Sequence, residues 1–270
     1  MRRAGRITAT TLGEGKRHSH VSRRDPPLAP MARSLQPSTR VPDCFGEAIG
    51  PELGWIENRM AHASGKPIDV HTWSTPNGWK IPIMLEECGL PYRVVPVNIG
   101  RGDQMAPDFL ALSPNNKIPA IVDPDGPGGE PITVFESGAI LQYLGRKIGC
   151  LYPADERARV AVDEWLFWQV AGFGPMLGQA HHFRIYAQEK IPYAIERFTT
   201  EAQRLYGVLE GRLAGRDYVA GDFSIADIAI LPWAKYHEKQ NIDLATLPNV
   251  RAWLDRVMAR PAVKRGFAAV

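Results

Sequence analysis

The sequence predicts an α/β domain followed by an all-helical one, and two observations carry that prediction. Strand-like and helix-like segments alternate from Ile68 to about residue 150, and beyond that point only helical periodicity remains. A chain of 270 residues with 44% hydrophobic content has room for two modest domains. The expected boundaries are an extension over 1–66, a first domain over 67–150 and a helical domain over 155–270.

The extension is expected to be disordered. Residues 1–40 are rich in Arg, Ser, Thr and Pro, carry only Glu14 and Asp25 as acids, and show no period. Their composition fits a transit peptide, but no amphipathic helix is evident, and Met60 directly precedes the ordered pattern. The upstream segment therefore reads as an overextended reading frame.

IDVHTW (68–73) reads as a strand. GWKIPIMLEECGL follows as a helix, with Ile81, Met84, Leu85 and Cys88 on one face. VVPVNI (94–99) is a second strand, SPNNKIPAIVD (113–123) turns into a third, and ITVFE is a fourth after a Gly/Pro/Asp loop. SGAILQYLGRKIG is a helix closed by Gly149. The order βαβ, then ββα, is the thioredoxin-like plan. RARVAVDEWLFWQV, PYAIERFTTEAQRLYGVLEGRL, SIADIAILPWAKYHE and VRAWLDRVMA then carry the 3.6-residue period of a helical bundle.

Charge and cysteine usage exclude several functions. Residues 1–66 hold 11 Lys/Arg against 6 Asp/Glu, leaving 21 against 23 in the remainder, so the folded part lacks the basic face that docks on nucleic acid. Cys44, Cys88 and Cys150 form no CxxC pair and no metal-ligand spacing, which predicts a reduced, cytoplasmic chain without a metal. No apolar run approaches the roughly 20 residues that span a bilayer.

Four local signals resemble the glutathione transferases in order and spacing. They are STPNGWK (74–80), NKIPAIVD (116–123), FESGAILQYL (135–144) and DFSIADIAI (222–230), the last a Ser-x-x-Asp capping box. TPNG, GDQ, WLFWQ, GPMLGQ-HHF and IPYAIERF narrow the resemblance to the bacterial Nu class, relatives of the folded domain of a yeast nitrogen-regulation prion protein. It covers about residues 67–265.

The resemblance implies glutathione as co-substrate, a homodimer, and a disulfide-bond oxidoreductase that uses bound glutathione thiolate without a protein cysteine. The alternatives are conjugation of small electrophiles and a non-catalytic regulatory binding protein. An Asn/Gln-rich N-terminal segment would mark the regulator, whereas residues 1–66 are Arg/Pro/Ser-rich.

A free thiol with a pKa of about 8.5 must be ionised to react, and lowering it by about two units needs roughly 2.7 kcal/mol. One or two charge-assisted hydrogen bonds supply that. Thr75 and Asn77 offer donors at a helix N-terminus, although Thr-Pro-Asn-Gly alone is also an ordinary capped turn. The resemblance brings this Thr and Asn to the glutathione sulfur. It also makes Pro119 a cis-proline that exposes the Ile118 backbone to the cysteinyl unit, and it places Lys117 near the glycyl carboxylate.

Glu136 is implied as partner of the γ-glutamyl ammonium, and Ser137 as a helix cap that also faces the γ-glutamyl carboxylate. Gln104 is a further implied polar contact, and Arg197 is implied to bind a second glutathione at the mouth of the site. His181 and His182, with no carboxylate near in sequence, read as packing and hydrogen-bonding residues, and Trp165, Phe167 and Trp168 as core or interdomain packing.

Overall fold

The computed structural model describes residues 65–270, so the expected extension lies outside the described residues except for its last two. Strand β1 (Ile68–Thr72) leads through helix α1 (Pro76–Cys88) to β2 (Tyr92–Pro96), which runs parallel to it. A 3-10 turn (Asp103–Met105) and a short helix α2 (Pro107–Leu112) precede the antiparallel pair β3 (Ala120–Asp123) and β4 (Ile132–Phe135). Helix α3 (Ser137–Ile148) closes this thioredoxin-like domain. Its mixed sheet has the order β2-β1-β3-β4.

Two details depart from expectation. The second strand lies at Tyr92–Pro96 rather than 94–99, because Gly89 ends α1 in a left-handed conformation and the Ile68 N–H bonds Pro91 O, which starts the pairing earlier. The short helix α2 has no counterpart among the expected elements, because six residues are too few for periodicity to reveal.

Helix α1 has Pro82 in its interior, and proline cannot donate to the carbonyl four residues back. That carbonyl is Gly78 O, and the fully buried Thr72 hydroxyl donates to it at 3.1 Å instead. Strand β1 thus repairs the helix it precedes. Gly78 is required by close approach, since a Cβ there would lie 2.0 Å from Trp73 O.

In the helical domain, α4 (Glu156–Trp168) continues through a π turn (Gln169–Phe173) into α5 (Gly174–His181) and a second π turn (His182–Tyr186). Helices α6 (Pro192–Leu213), α7 (Ile225–Ala234), α8 (Pro248–Ala259) and α9 (Pro261–Ala268) complete it. Every residue of α7 is buried, the mark of a central helix. Its Ser224/Asp227 capping box is formed.

One hydrophobic core runs through both domains, from Ile81 and Leu141 to Leu166, Leu231 and Val263. Helix α9 returns onto α1 so closely that a Cβ on Gly266 would lie 2.6 Å from Ile83 Cα. The contact is edged by Arg260–Glu87 at 2.7 Å and Arg265–Glu86 at 2.6 Å. Phe167 departs from its expected packing role and is 57% exposed, while Trp165 and Trp168 pack edge to face against each other. Cys88 is buried in the hydrophobic core. Among the described residues no helix is long and apolar enough to cross a membrane.

Candidate functional site

A cavity of about 540 Å³ opens where the N-terminus of α1 and the loop before β3 face the helical domain. Thr75, Asn77, Gln104, Lys117 and Ile118 line one side, and His181, Trp233 and Tyr236 line the other.

Thr75 is the N-cap of α1: its Oγ1 accepts from the Gly78 N–H at 3.1 Å, so its own O–H remains able to donate outward. Asn77 Oδ1 accepts from Trp233 Nε1 at 3.0 Å. Because an indole nitrogen is a donor only, this bond fixes which end of the amide is oxygen and commits the Asn77 NH₂ to donation. The two residues therefore present hydroxyl and amide donors at the positive end of a helix.

The Ile118–Pro119 peptide is cis, and no hydrogen bond engages the Ile118 backbone among the described residues. Lys117 is exposed at the rim. Gln104 Oε1 and Trp79 Nε1, both on the cavity wall, are buried without a partner. Buried polar atoms are normally satisfied, so an acceptor and a donor orphaned in one wall point to a ligand that supplies the complements.

Register pairs Ala120 with Phe135, which brings Glu136 out of β4 beside Pro119. Glu136 has φ 70 and ψ 114, a conformation that costs a non-glycine residue about 1–3 kcal/mol and that concentrates at functional sites. It is exposed, and although it occupies the N-cap position of α3 its side chain makes no capping bond. Ser137 was expected to be the cap; it is instead the first helical residue, buried, with its Oγ accepting from Lys80 Nζ at 3.2 Å. The capping role fails because the turn out of β4 places the N-cap one residue earlier. Neither residue lines the 540 Å³ cavity itself.

Arg197 is not brought into that cavity. It is exposed on α6, in a separate groove with Met176, Tyr193 and Glu201.

Sequence reasoning missed Trp233 and Lys80, whereas His181 has the packing and hydrogen-bonding role expected of it. Trp233, on α7, reaches Asn77 across 156 positions, and no local pattern signals such a bond. His181 is buried on the cavity wall, with Nε2 3.1 Å from Gln240 Nε2. An amide nitrogen donates, so that ring nitrogen accepts and the imidazole is neutral. Burial first, then the charge of Lys239, lowers its pKa to about 4. Lys80 is buried on α1, where burial lowers its pKa to about 7 against the opposing pull of Glu136. Its signal was present: Lys80, Met84 and Cys88 recur every four residues on the apolar face.

Comparison with known proteins matches residues 75–147 to the glutathione S-transferase N-terminal domain and residues 175–261 to the glutathione S-transferase C-terminal domain. The chain is 53% identical over 197 residues to the disulfide-bond oxidoreductase YfcG of Escherichia coli, covering 72% of this chain and 92% of that protein. It is 43% identical to the disulfide-bond oxidoreductase YghU of Escherichia coli, over 82% of this chain and 81% of that one. Among solved structures, a Burkholderia graminis glutathione transferase with two glutathione molecules bound per subunit is similar at TM-score 0.72 and 42% identity, covering 80% of this chain and 93% of that one. A Pseudomonas putida glutathione transferase with one glutathione disulfide bound per subunit is similar at TM-score 0.73 and 41% identity, over 79% and 96%.

Proposed function

The chain belongs to the glutathione transferase family, and from that premise we propose that it is a glutathione-dependent disulfide-bond oxidoreductase of the Nu class, acting as a cytoplasmic homodimer. The observation that carries the reading is a cavity that presents donors to an anion but no thiol of its own. Among the described residues Cys88 is buried in the core and no cysteine lines the cavity. The reacting sulfur is therefore the ligand's.

In this reading residues 67–150 hold glutathione and 155–270 form the facing helical domain. Thr75 O–H and Asn77 N–H stabilise the glutathione thiolate. The Ile118 backbone pairs with its cysteinyl unit, Lys117 meets its glycyl carboxylate, and Glu136 with Ser137 and the α3 N-terminus hold its γ-glutamyl end. Gln104 completes the polar wall with its orphaned oxygen. The thiolate attacks a disulfide RS–SR′, forming a mixed disulfide and releasing one thiolate. A second glutathione, whose carboxylate Arg197 engages from its groove, attacks next, giving glutathione disulfide and the second thiol. Two glutathiones are oxidised and one disulfide is reduced.

A second reading, conjugation of small electrophiles, is favoured by the aromatic part of the wall: Trp79, Tyr186, Trp233 and Tyr236. A glutathione-driven assay of a model disulfide beside an aryl halide separates the two. The primary reading expects the disulfide rate to dominate, and conjugation without disulfide reduction overturns it. Sedimentation at micromolar protein tests the dimer, which a monomer mass refutes.

A further inference from the structure

Lys80 is 1% exposed, and its Nζ donates to Ser137 Oγ at 3.2 Å and to Gln169 Oε1 at 2.7 Å. Both acceptors are neutral, and among the described residues no carboxylate lies within ion-pair distance of it. A buried ammonium in that position is under-compensated, since buried charges are ordinarily paired.

The neighbouring charges are otherwise engaged. Asp227 of α7 accepts from Val219, Ser224 and Trp253. Glu86 and Glu87 pair with Arg265 and Arg260 at α9, and Asp69 of β1 with Arg93. The π turn contributes Gln169, which is neutral. The remaining groups on these elements are His71 of β1, Lys264 of α9, and Arg146 and Lys147 in the last turn of α3, at the end remote from Ser137. Glu136 is the charged group acting on Lys80, from the exposed side of the α3 N-terminus.

We propose that Lys80 is the positioning residue of the γ-glutamyl subsite: by donating to Ser137 Oγ it turns that hydroxyl's own proton toward the ligand carboxylate, whose negative charge completes the buried ammonium. The inference rests on the glutathione reading above and adds the residue that charges and orients that end of the site. A hydroxyl that accepts from an ammonium has its remaining proton free, and the same carboxylate meets the positive end of α3.

A thermodynamic consequence follows. Burial already holds the Lys80 pKa down to about 7, and an arriving anion raises it. Above neutral pH, binding therefore takes up a proton, and affinity weakens as pH rises.

The test uses the full chain and S-methylglutathione, which has no thiol to titrate. Calorimetry at pH 8 in buffers of different ionisation enthalpy counts the protons taken up. The wild type is expected to take up a fraction of a proton at pH 8 and close to none at pH 6, with the Kd weakening about tenfold from pH 6 to pH 9 for a shift of about one unit. Lys80→Met is expected to bind more weakly at pH 6 and to lose the share of the proton uptake and of the pH slope that Lys80 contributes, leaving only that of the ligand's ammonium. Binding by the wild type without proton uptake overturns the inference and leaves the glutathione reading standing, and this measurement needs no variant to fold. A folded Lys80→Met with the wild-type pH profile overturns it equally. Absence of wild-type binding at any pH overturns both readings.

Discussion

Asp227, at the start of α7 in the helical domain, and Lys80, on the buried face of α1 in the thioredoxin-like domain, are both shut away from solvent, but their surroundings differ. Asp227 is enclosed by four donors: the Val219 and Ser224 N–H groups at 3.1 Å each, Ser224 Oγ at 3.2 Å and Trp253 Nε1 at 2.9 Å. Burial pushes its carboxyl up to about 6 while those donors pull it down, so at neutral pH it remains ionised. Lys80 has two neutral acceptors and no carboxylate within ion-pair distance, with Glu136 acting on it only from the exposed α3 N-terminus. A charge whose hydrogen bonds are complete fastens the fold, whereas one left short of a counter-charge beside a binding site is reserved for a ligand.

The largest effect that can break this comparison is on Asp227. Asp227→Ala strands the donors of Ser224, Val219 and Trp253 and should cost about 3 kcal/mol of stability, read by thermal or urea unfolding. Where the variant is still folded, its glutathione kinetics should match the wild type. Altered kcat/KM with unaltered stability would reverse the roles assigned to the two charges.

Next is Asn77, the donor nearest the proposed sulfur. Asn77→Ala should raise the pKa of bound glutathione, followed by thiolate absorbance, and should slow disulfide reduction and aryl-halide conjugation alike by about thirtyfold, or about 2 kcal/mol. Conjugation alone slowing would place Asn77 on the electrophile side of the cavity.

The third prediction sharpens the contrast through pH. Lys80 has a folded pKa of about 7, below the unfolded value of 10.5, so the unfolded chain binds more protons between these values. Its contribution to stability therefore rises with pH above about 7, by about 1.4 kcal/mol per unit at most. Asp227, ionised in both states there, contributes no slope. Urea unfolding between pH 7 and pH 9 should show the rise in the wild type, and Lys80→Met should flatten it. A slope that survives the substitution comes from another group.

The smallest effect belongs to Arg197, exposed on α6 and outside the main cavity. Arg197→Ala should slow disulfide reduction about threefold to tenfold and leave conjugation unchanged, because an exposed ion pair is screened. Equal loss of both rates would make the residue structural.

The contrast between these residues also separates what could be read in one dimension. The βαβ–ββα order and the period switch near residue 150 were legible because strands and helices impose their periods on neighbours in sequence. The Ser224/Asp227 box was legible too, since a cap and its partner are three residues apart. Ser137 was misread as a cap because helix onset shifts with the turn before it, and Phe167 because burial depends on which face of α4 the core takes.

By itself, then, the sequence determined the element order, the Ser224 cap and the donor-bearing turn at Thr75–Asn77, all of them interactions within a few residues. Only the tertiary structure decided that Trp233 orients Asn77 from 156 positions away and that Gln169 holds Lys80 from 89 positions away. It also decided that Arg197 stands in its own groove. The physical reason is that burial and hydrogen bonding between distant segments are properties of packing: they arise only when the helical domain closes over α1, and no local period encodes which side chains then meet.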